Sequence, residues 1–135
     1  MATRDGRDGG DRPADPGDLL PEESVLSLSE YLDMQSAIGN PTRFEIVYRL
    51  AASGEASPTA LDDRIDVDDS TLHYHLNELL DVGLIEKRRR TTRDGDGPYT
   101  YYRATAMGEA LLDHGVEELL RREWDFAEAY RSETD

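Results

Sequence analysis

The stretch that decides the fold runs from Asp68 to Arg90 and reads DDSTLHYHLNELLDVGLIEKRRR. Acidic and hydroxyl side chains open it, and they suit a helix N-terminus with Asp68 as the cap. Leucines then recur at helical spacing, at Leu72, Leu76, Leu79 and Leu80. Gly83 is the expected stop, because glycine adopts the left-handed backbone conformation that ends many helices. Four cations, Lys87 to Arg90, follow at once. The stretch therefore predicts an amphipathic helix that leads directly into a basic strand.

Three further helices are predicted upstream of this stretch. A helical apolar period occupies residues 23–38. Asn40–Pro41 and Ser57–Pro58 each combine a capping side chain with a proline that fits the first helical turn, so they begin a second and a third helix. The third helix is joined to the helix after Asp68 by a short turn. Two short helices joined in this way form a helix-turn-helix.

A β-hairpin and a last helix are predicted downstream. LIEKRRRTT (84–92) and YTYYRATA (99–106) have strand composition, and the turn cluster RDGDGP lies between them. Thr105 is expected to cap one long helix that continues to about residue 130. The fold class is therefore mainly α with a small β-hairpin, a winged helix-turn-helix with a long C-terminal helix.

The chain divides into three parts on this interpretation. Residues 1–22 are almost all Gly, Pro, Asp and Arg. Such a segment cannot bury enough apolar surface to offset its ordering entropy, so an acidic, disordered tail is expected. Residues 23–104 form the winged helix-turn-helix domain, and residues 105–135 form the C-terminal helix. That helix carries more large apolar side chains than one small domain can cover, which favours a two-fold interface over packing within the monomer.

The charge of the chain is strongly negative, with 15 basic and 30 acidic residues and a net charge of −15. Taken alone, this balance argues against a polyanionic partner such as nucleic acid. Lys87 is the single lysine, and the acids are dispersed along the chain. This composition resembles that of cytosolic proteins from organisms that keep molar salt inside the cell, such as halophilic archaea. No apolar run is long enough for a membrane span and no secretory signal opens the chain, so a cytoplasmic protein is expected.

Positive charge is nevertheless concentrated in the hairpin. From Leu84 to Ala104 six cations stand against three acids, a local charge of +3, in the part of a winged helix that meets a phosphate backbone. On the preceding helix the leucines face inward, which turns the polar side chains toward solvent or a partner. His75 lies on the leucine side and is expected to pack there and orient the helix. The candidate DNA-binding residues are Ser70, Thr71, His73, Tyr74 and Asn77 on the helix, and Lys87, Arg88, Arg90 and Arg93 on the hairpin.

Together these segments resemble a known family. The region Ala37–Gly108 is similar to the ArsR-type winged helix-turn-helix of bacterial and archaeal repressors. The matching pieces are NPTRFEIVYRL, STLHYHLNELLDVGLI and the second wing strand YTYYRAT. The resemblance implies a homodimeric transcription regulator that binds double-stranded DNA and pairs through its first and last helices, residues 24–38 and 105–130. It also implies DNA contacts by the helix positions named above, with support from the wing arginines.

Other classes of function have weaker support in the sequence. The chain has no cysteine, which excludes the cysteine pair of the family's metal-sensing members, and Asp113, His114, Glu117 and Glu118 offer only a partial ligand set. No metal or other cofactor is expected. Neither a phosphate loop nor a nucleophile with a positioned base is present, so the chain is not expected to be an enzyme. The open alternative is a winged-helix adaptor that binds proteins and never contacts DNA bases.

Overall fold

The computed structural model describes residues 12–91 and 98–134, so Arg93 and most of the predicted turn lie outside the described residues. Within these ranges the elements follow one another as α1 (Leu28–Ile38), α2 (Pro41–Ser53), α3 (Pro58–Arg64), α4 (Asp69–Asp81), β1 (Ile85–Thr91), β2 (Pro98–Ala104), α5 (Ala106–Asp113) and α6 (Val116–Thr134). This order confirms the predicted winged helix-turn-helix with a long C-terminal helix. No helix in the described ranges combines the length and the apolar content that crossing a membrane requires.

Among the described residues, 12–33 and those from Met34 onward form two compact units. In the first unit, Pro16–Leu19 forms a short 3-10 helix. The Asp15 carboxylate caps it by accepting a hydrogen bond from the Gly17 amide at 2.9 Å. A polar side chain thus caps the start of this turn, as polar side chains do at helices further along the chain.

Helix α1 begins at Leu28 and not near residue 23, where the apolar pattern predicted its start. Ser27 and Glu30 set the start through reciprocal hydrogen bonds, a capping box. The Glu30 carboxylate accepts from the Ser27 amide at 2.9 Å, and the Ser27 hydroxyl accepts from the Glu30 amide at 3.1 Å. Val25, counted in the predicted stripe, is 94% exposed. The cap therefore overrides the apolar period in deciding where the helix begins.

The predicted starts of α2, α3 and α4 are confirmed. Each cap side chain accepts a hydrogen bond from an amide in the first helical turn, at 2.9 Å for Asn40, 3.1 Å for Ser57 and 2.7 Å for Asp68. These bonds satisfy amides that have no partner within their own helix. Helices α3 and α4 are joined by residues 65–68, the short turn that the helix-turn-helix prediction requires.

The chain leaves α4 through Gly83, whose φ of 80° lies in the left-handed region. The Gly83 amide donates to the Leu80 carbonyl at 3.1 Å, and the Leu84 amide donates to the Leu79 carbonyl at 3.0 Å. This pair of bonds ends the helix and turns the chain toward β1. The predicted stop at Gly83 is therefore confirmed.

The core of the second unit lies where α2, α3 and α4 meet the base of the hairpin. The predicted inner face of α4 is buried at Leu72, Leu76 and Leu79, whereas Leu80 is only half-buried. The largest side chains that are almost wholly buried are Ile46, Val47, Leu50, Leu61, Ile65, Leu72, Leu76, Leu79 and Leu84.

Strands β1 and β2 pair antiparallel, with Ile85 opposite Ala104 and Thr91 opposite Pro98. We call this hairpin the wing. Its base is attached to the α2–α3 turn by a bridge between Ala56 and Tyr102. The Ala56 amide donates to the Tyr102 carbonyl at 3.0 Å, and the Tyr102 amide donates to the Ala56 carbonyl at 2.8 Å. The wing therefore has a fixed position on the helical part of the unit.

The predicted single helix after Thr105 is two helices. Thr105 does act as a cap, because its hydroxyl accepts from the Gly108 amide at 3.0 Å, but α5 ends at Asp113. Helix α6 begins at Val116, after a break at residues 114–115. A Cβ atom on Gly115 would lie 2.4 Å from the Leu111 carbonyl oxygen. Only glycine fits this bend, which the apolar period alone did not indicate.

His75 holds α4 against α2, as its position on the leucine side predicted. It is 8% exposed, and its Nδ1 atom lies 3.0 Å from Nη1 of Arg43. Because a guanidinium can only donate, Nδ1 is the acceptor and the ring proton is on Nε2. Arg43 is fixed in turn, since its Nε donates to the Ala37 carbonyl at 2.7 Å. Burial, and secondarily the charge of Arg43, lower the pKa of His75 below its usual value.

Replacing Gly108 with alanine should destabilise the fold. The added Cβ would lie 2.2 Å from the Leu84 carbonyl oxygen, a backbone atom at the wing base. We expect Gly108→Ala to lower the free energy of unfolding by about 1–3 kcal/mol, the usual cost of overpacking. Guanidinium unfolding followed by circular dichroism measures this. Gly39→Ala is the control, because its Cβ would meet its nearest neighbours at 3.4 Å; an equal effect of both substitutions would contradict the prediction.

Acidification should weaken the protein through His75. Its folded pKa is lowered, so the unfolded chain takes up the proton first as the pH falls below about 6.5. The stability that neutral His75 provides is then present above pH ~6.5 and lost as the pH falls toward the folded pKa. His75→Asn keeps an acceptor for Arg43 without a titrating ring. We expect thermal unfolding of this variant to depend less steeply on pH below about 6.5 than that of the wild type, and an equal slope for both proteins would contradict the prediction.

Candidate nucleic-acid interface

Helix α4 presents a continuous polar face to solvent. Ser70, His73, Tyr74 and Asn77 are exposed and Thr71 is half-buried. Each of these candidate DNA-binding side chains lies away from the buried leucine face, as the helical period predicted. Hydroxyl, amide and imidazole groups can donate to or accept from base edges, and Tyr74, which is 56% exposed, can reach a phosphate or stack. The structure thus brings the helix set together on one surface.

The N-terminus of α4 is partly occupied by its own cap. The Asp68 carboxylate accepts from the Thr71 amide at 2.7 Å and from the Ser70 hydroxyl at 3.1 Å. Hydrogen bonds from Thr71, and then from Ser70, lower the pKa of Asp68. His73 lies one turn further along, with its Nε2 atom 3.6 Å from the Asp69 carboxylate. Two carboxylates therefore stand beside the face that would approach DNA, and any phosphate contact must be made away from this end.

The wing carries its arginines in contact with carboxylates. Arg88 Nε lies 2.9 Å from Oε1 of Glu86, and Arg103 Nε lies 3.3 Å from the same oxygen. The register places Glu86 opposite Arg103, so one carboxylate serves two cations on the same face of the hairpin. Arg88 remains 54% exposed at its side chain. The pair is thus at the surface, where a phosphate can reach the guanidinium.

Arg90 is held by groups from two other segments. Its Nη2 atom lies 2.8 and 3.0 Å from the two carboxylate oxygens of Glu55, in the α2–α3 turn. Its guanidinium also lies over the Tyr101 ring, 4.4 Å from the centroid, and more loosely over Tyr99 at 5.8 Å. Hydrogen bonding to Tyr101, and then to Glu55, raises the pKa of Arg90 further above its usual value. This arginine is therefore cationic and well positioned, but already paired.

Lys87 and Arg89 lie on the other face of β1. Lys87 Nζ is 5.9 Å from the centroid of the Tyr102 ring, a distance at which cation–π attraction is weak at an exposed site. Arg89 is exposed, and within the part of the chain that the structure describes it has no ion pair. Arg89 was not among the candidate residues from the sequence, although its exposure makes it available to a phosphate at no cost in internal pairs.

The wing can bind a polyanion, but carboxylates of the same protein compete with that polyanion for the arginines. Exposed ion pairs contribute little, roughly 0–1 kcal/mol each, so a phosphate oxygen can replace a carboxylate. Sequence reasoning identified Arg88 and Arg90 but missed Glu55, which lies 35 residues before its partner. No local pattern indicates a pair so distant, because it exists only after Ala56 bridges Tyr102.

The candidate metal ligands of the last helices do not form a cluster. In the described ranges no group of three or more histidine, cysteine or acidic side chains is arranged to hold a metal ion. His114 Nδ1 instead lies 3.6 Å from Oε1 of Glu118, and Glu118 also pairs with Arg122 at 3.0 Å. These side chains therefore contact neighbours one helical turn away around the start of α6.

Comparison with known sequences matches this region to helix-turn-helix proteins. Residues 38–88 match the family model described as a helix-turn-helix domain. A Halobacterium salinarum protein that carries the name of an arsenical resistance operon repressor, ArsR, is 33% identical over 78 residues, 57% of this chain and 56% of its own. The arsenical resistance operon repressor of Bacillus subtilis is 33% identical over 75 residues, 56% of this chain and 66% of its own. The chain thus spans between 56 and 66% of the length of these two relatives.

Solved structures show the same architecture. An ArsR-like transcriptional regulator from Rhodococcus sp. RHA1 is 25% identical with a TM-score of 0.52, covering 78% of this chain and 92% of that one. A transcriptional regulator of the MarR family from Enterococcus faecalis V583 is 18% identical with a TM-score of 0.62, covering 83% of this chain and 99% of that one, and shares the fold. The chain thus has the winged helix-turn-helix fold, and over little more than half of its length its sequence is similar to proteins named as ArsR-type repressors.

Proposed function

We propose that this protein is a sequence-specific DNA-binding transcription regulator that acts as a homodimer in a salt-rich cytoplasm. One observation carries the proposal: the exposed polar face of α4 adjoins a cationic wing in a chain whose net charge is −15. A chain selected only for an acidic surface has no reason to gather its cations beside a recognition helix. The repressor names of its relatives support the same conclusion and a role without catalysis.

The two surfaces have different tasks in this proposal. Helix α4 enters the major groove, where Thr71, Tyr74 and Asn77 read base edges. The wing arginines contact phosphates, which fixes the register without reading sequence. Ser70 and His73 complete the helix surface, and Lys87, Arg88, Arg90 and Arg93 complete the wing. Because the chain has no cysteine, the proposal includes no thiolate site for an effector.

High salt limits the DNA affinity that the wing can provide through contacts with phosphates. If about three cations contact phosphates, the slope of log affinity against log salt is about −0.9 for each. A change from ~0.15 to ~3 M salt then lowers the affinity by about three to four decades. In a salt-rich cytoplasm the base contacts of α4 and the pairing of two copies must therefore supply most of the binding.

Helix α6 offers a surface for that pairing. Its large apolar side chains are Val116, Leu119, Leu120, Trp124, Phe126 and Tyr130. At about 100° per residue they fall within an arc of about 160°, which we call the α6 stripe. They are exposed: Leu119 by 65%, Trp124 and Tyr130 each by 73%. An exposed apolar stripe of this kind marks an interaction site. Two-fold pairing places two copies of α4 about 34 Å apart, one turn of the duplex.

Selection of duplexes from a random-sequence pool in molar KCl tests the DNA-binding proposal. We expect a discrete complex with a palindromic site. Asn77→Ala should weaken binding to that site about tenfold to a hundredfold and reduce discrimination against altered bases, since one bidentate base contact provides about 1–3 kcal/mol. Arg88→Ala should weaken binding to all duplexes equally, whatever their sequence, because a contact with phosphate does not depend on the bases.

Arg49→Ala is the control for the wing substitution. Arg49 has a similar exposed pair, with Glu45 at 2.8 Å, but lies on α2. Fluorescence anisotropy with the selected duplex and a scrambled one measures all four proteins. If no sequence is enriched and no complex forms, the protein is instead the adaptor that binds proteins without touching bases.

A charge placed in the α6 stripe should separate the dimer. Trp124→Glu puts a carboxylate into the apolar arc, and burying it unpaired would cost several kcal/mol. We expect the sedimentation equilibrium mass to fall from that of a dimer to that of a monomer. Ala129→Glu introduces the same side chain on the opposite face of α6 and should remain dimeric. A wild-type protein that sediments as a monomer would contradict this part of the proposal.

A further inference from the structure

The pair formed by Glu55 and Arg90 differs from an ordinary surface pair in how it is built. Both oxygens of Glu55 accept from the same Nη2 atom, at 2.8 and 3.0 Å. The neighbouring residue Ala56 is fixed by two backbone hydrogen bonds to Tyr102. On the other side, the Tyr101 ring lies 4.4 Å from the guanidinium carbon. Both partners are therefore held in position before they meet, so little side-chain entropy is lost when they pair.

The same guanidinium is one that DNA binding needs. Arg90 is half exposed, and Glu55 occupies Nη2, one of the three guanidinium nitrogens that can donate to a phosphate oxygen. Both ligands are oxyanions that accept from a guanidinium in the same geometry. A phosphate that binds the guanidinium bidentately through an edge that includes Nη2 must therefore displace the carboxylate.

We propose that Glu55 is an intramolecular competitor of DNA phosphate for Arg90, and that this exchange reduces the salt dependence of DNA binding. The inference rests on the proposed DNA-binding function. It assigns to Glu55, in the turn between α2 and α3, a role in setting affinity that requires no contact with DNA.

The salt effect follows from the exchange. When an unpaired arginine takes a phosphate, the counterion released from DNA gives the full slope of about −0.9. When Arg90 first leaves Glu55, an ion pair of the free protein is also broken, and salt screens that pair as well. Rising salt thus weakens the pair between Glu55 and Arg90 as well as the contact between Arg90 and phosphate. The net slope at this position is shallower than for a free arginine.

A competing explanation is simple repulsion between Glu55 and DNA. Removal of the carboxylate would raise the affinity in either case. Only competition requires Arg90, so the effect of Glu55→Gln must disappear when Arg90 is replaced. Repulsion would leave that effect in place. Non-additivity between the two substitutions therefore separates the mechanisms.

The experiment is a double-mutant cycle of wild type, Glu55→Gln, Arg90→Gln and the double variant. The probe is a fluorescein-labelled duplex of about 30 base pairs, selected from a random pool, which holds two half-sites one helical turn apart. We expect Glu55→Gln to bind about two- to fivefold more tightly for each half-site at ~0.1 M KCl, the range of one exposed pair, and thus about four- to 25-fold more tightly on the whole duplex. The gain should shrink at ~2 M KCl, where both contacts are screened. The double variant should bind like Arg90→Gln at both salt concentrations.

Glu45→Gln is the matched control, since it removes the same charge from an arginine pair of 2.8 Å with similar exposure, on α2. An equal gain for Glu45→Gln, or a gain that persists without Arg90, overturns the inference while DNA binding stands. The inference is also overturned if Glu55→Gln gives no gain in affinity. If the wild type forms no discrete complex, the proposed function itself fails, and the inference fails with it.

Circular dichroism melting confirms that each variant is folded. Glu55→Ala, which keeps no acceptor, should show at least the gain in affinity of Glu55→Gln.

Discussion

Leu84 is the residue through which the recognition helix and the wing are held together. Its side chain is fully buried, and its amide closes the end of α4 on the Leu79 carbonyl at 3.0 Å. Its carbonyl accepts from the Thr105 amide at 3.1 Å and lies so close to Gly108 that no Cβ fits between them. Helix α4, strand β1 and helix α5 thus meet at one residue. The angle between the polar helix face and the cationic hairpin depends on this packing, and without it neither surface defines a site.

The electrostatics of the site reflect a conflict between the whole chain and one hairpin. A net charge of −15 repels a duplex at long range, whereas the wing attracts it at contact. Within the wing, Glu55 and Glu86 partly neutralise the arginines that would touch phosphate. A surface of this kind binds poorly to a polyanion with which it makes only charge–charge contacts. In molar salt the long-range repulsion is screened within a few ångströms, so in the proposed function base contacts by α4 would decide which sequence is bound.

The sequence was sufficient for the features that depend on neighbouring residues. The Asp68 cap, the Gly83 stop and the polar face of α4 follow from spacing and from the conformational preferences of single residues, and each is present. The break at Gly115 was missed because the apolar period continues across it. The partner of Arg90 was missed because Glu55 reaches it only through a tertiary bridge. Local rules therefore indicated which arginines are in the wing, but not which of them are already paired.

The proposed two-fold pairing through α6 would change the weight of each contact in the site. In a symmetric dimer every residue acts twice on a palindromic duplex. The exchange at Arg90 would then occur in both half-sites, so its effect on log affinity and on the salt slope doubles. The same would hold for each base contact of α4. Pairing through α6 would gain chiefly from apolar burial, and salt would screen the repulsion between two copies that each carry a net charge of −15. Apolar burial is strengthened by excluded salts and weakened by none of the screening that affects ion pairs. In the proposed dimer the interface would be the part of the binding free energy that high salt leaves intact, and it would allow a weakly cationic wing to suffice.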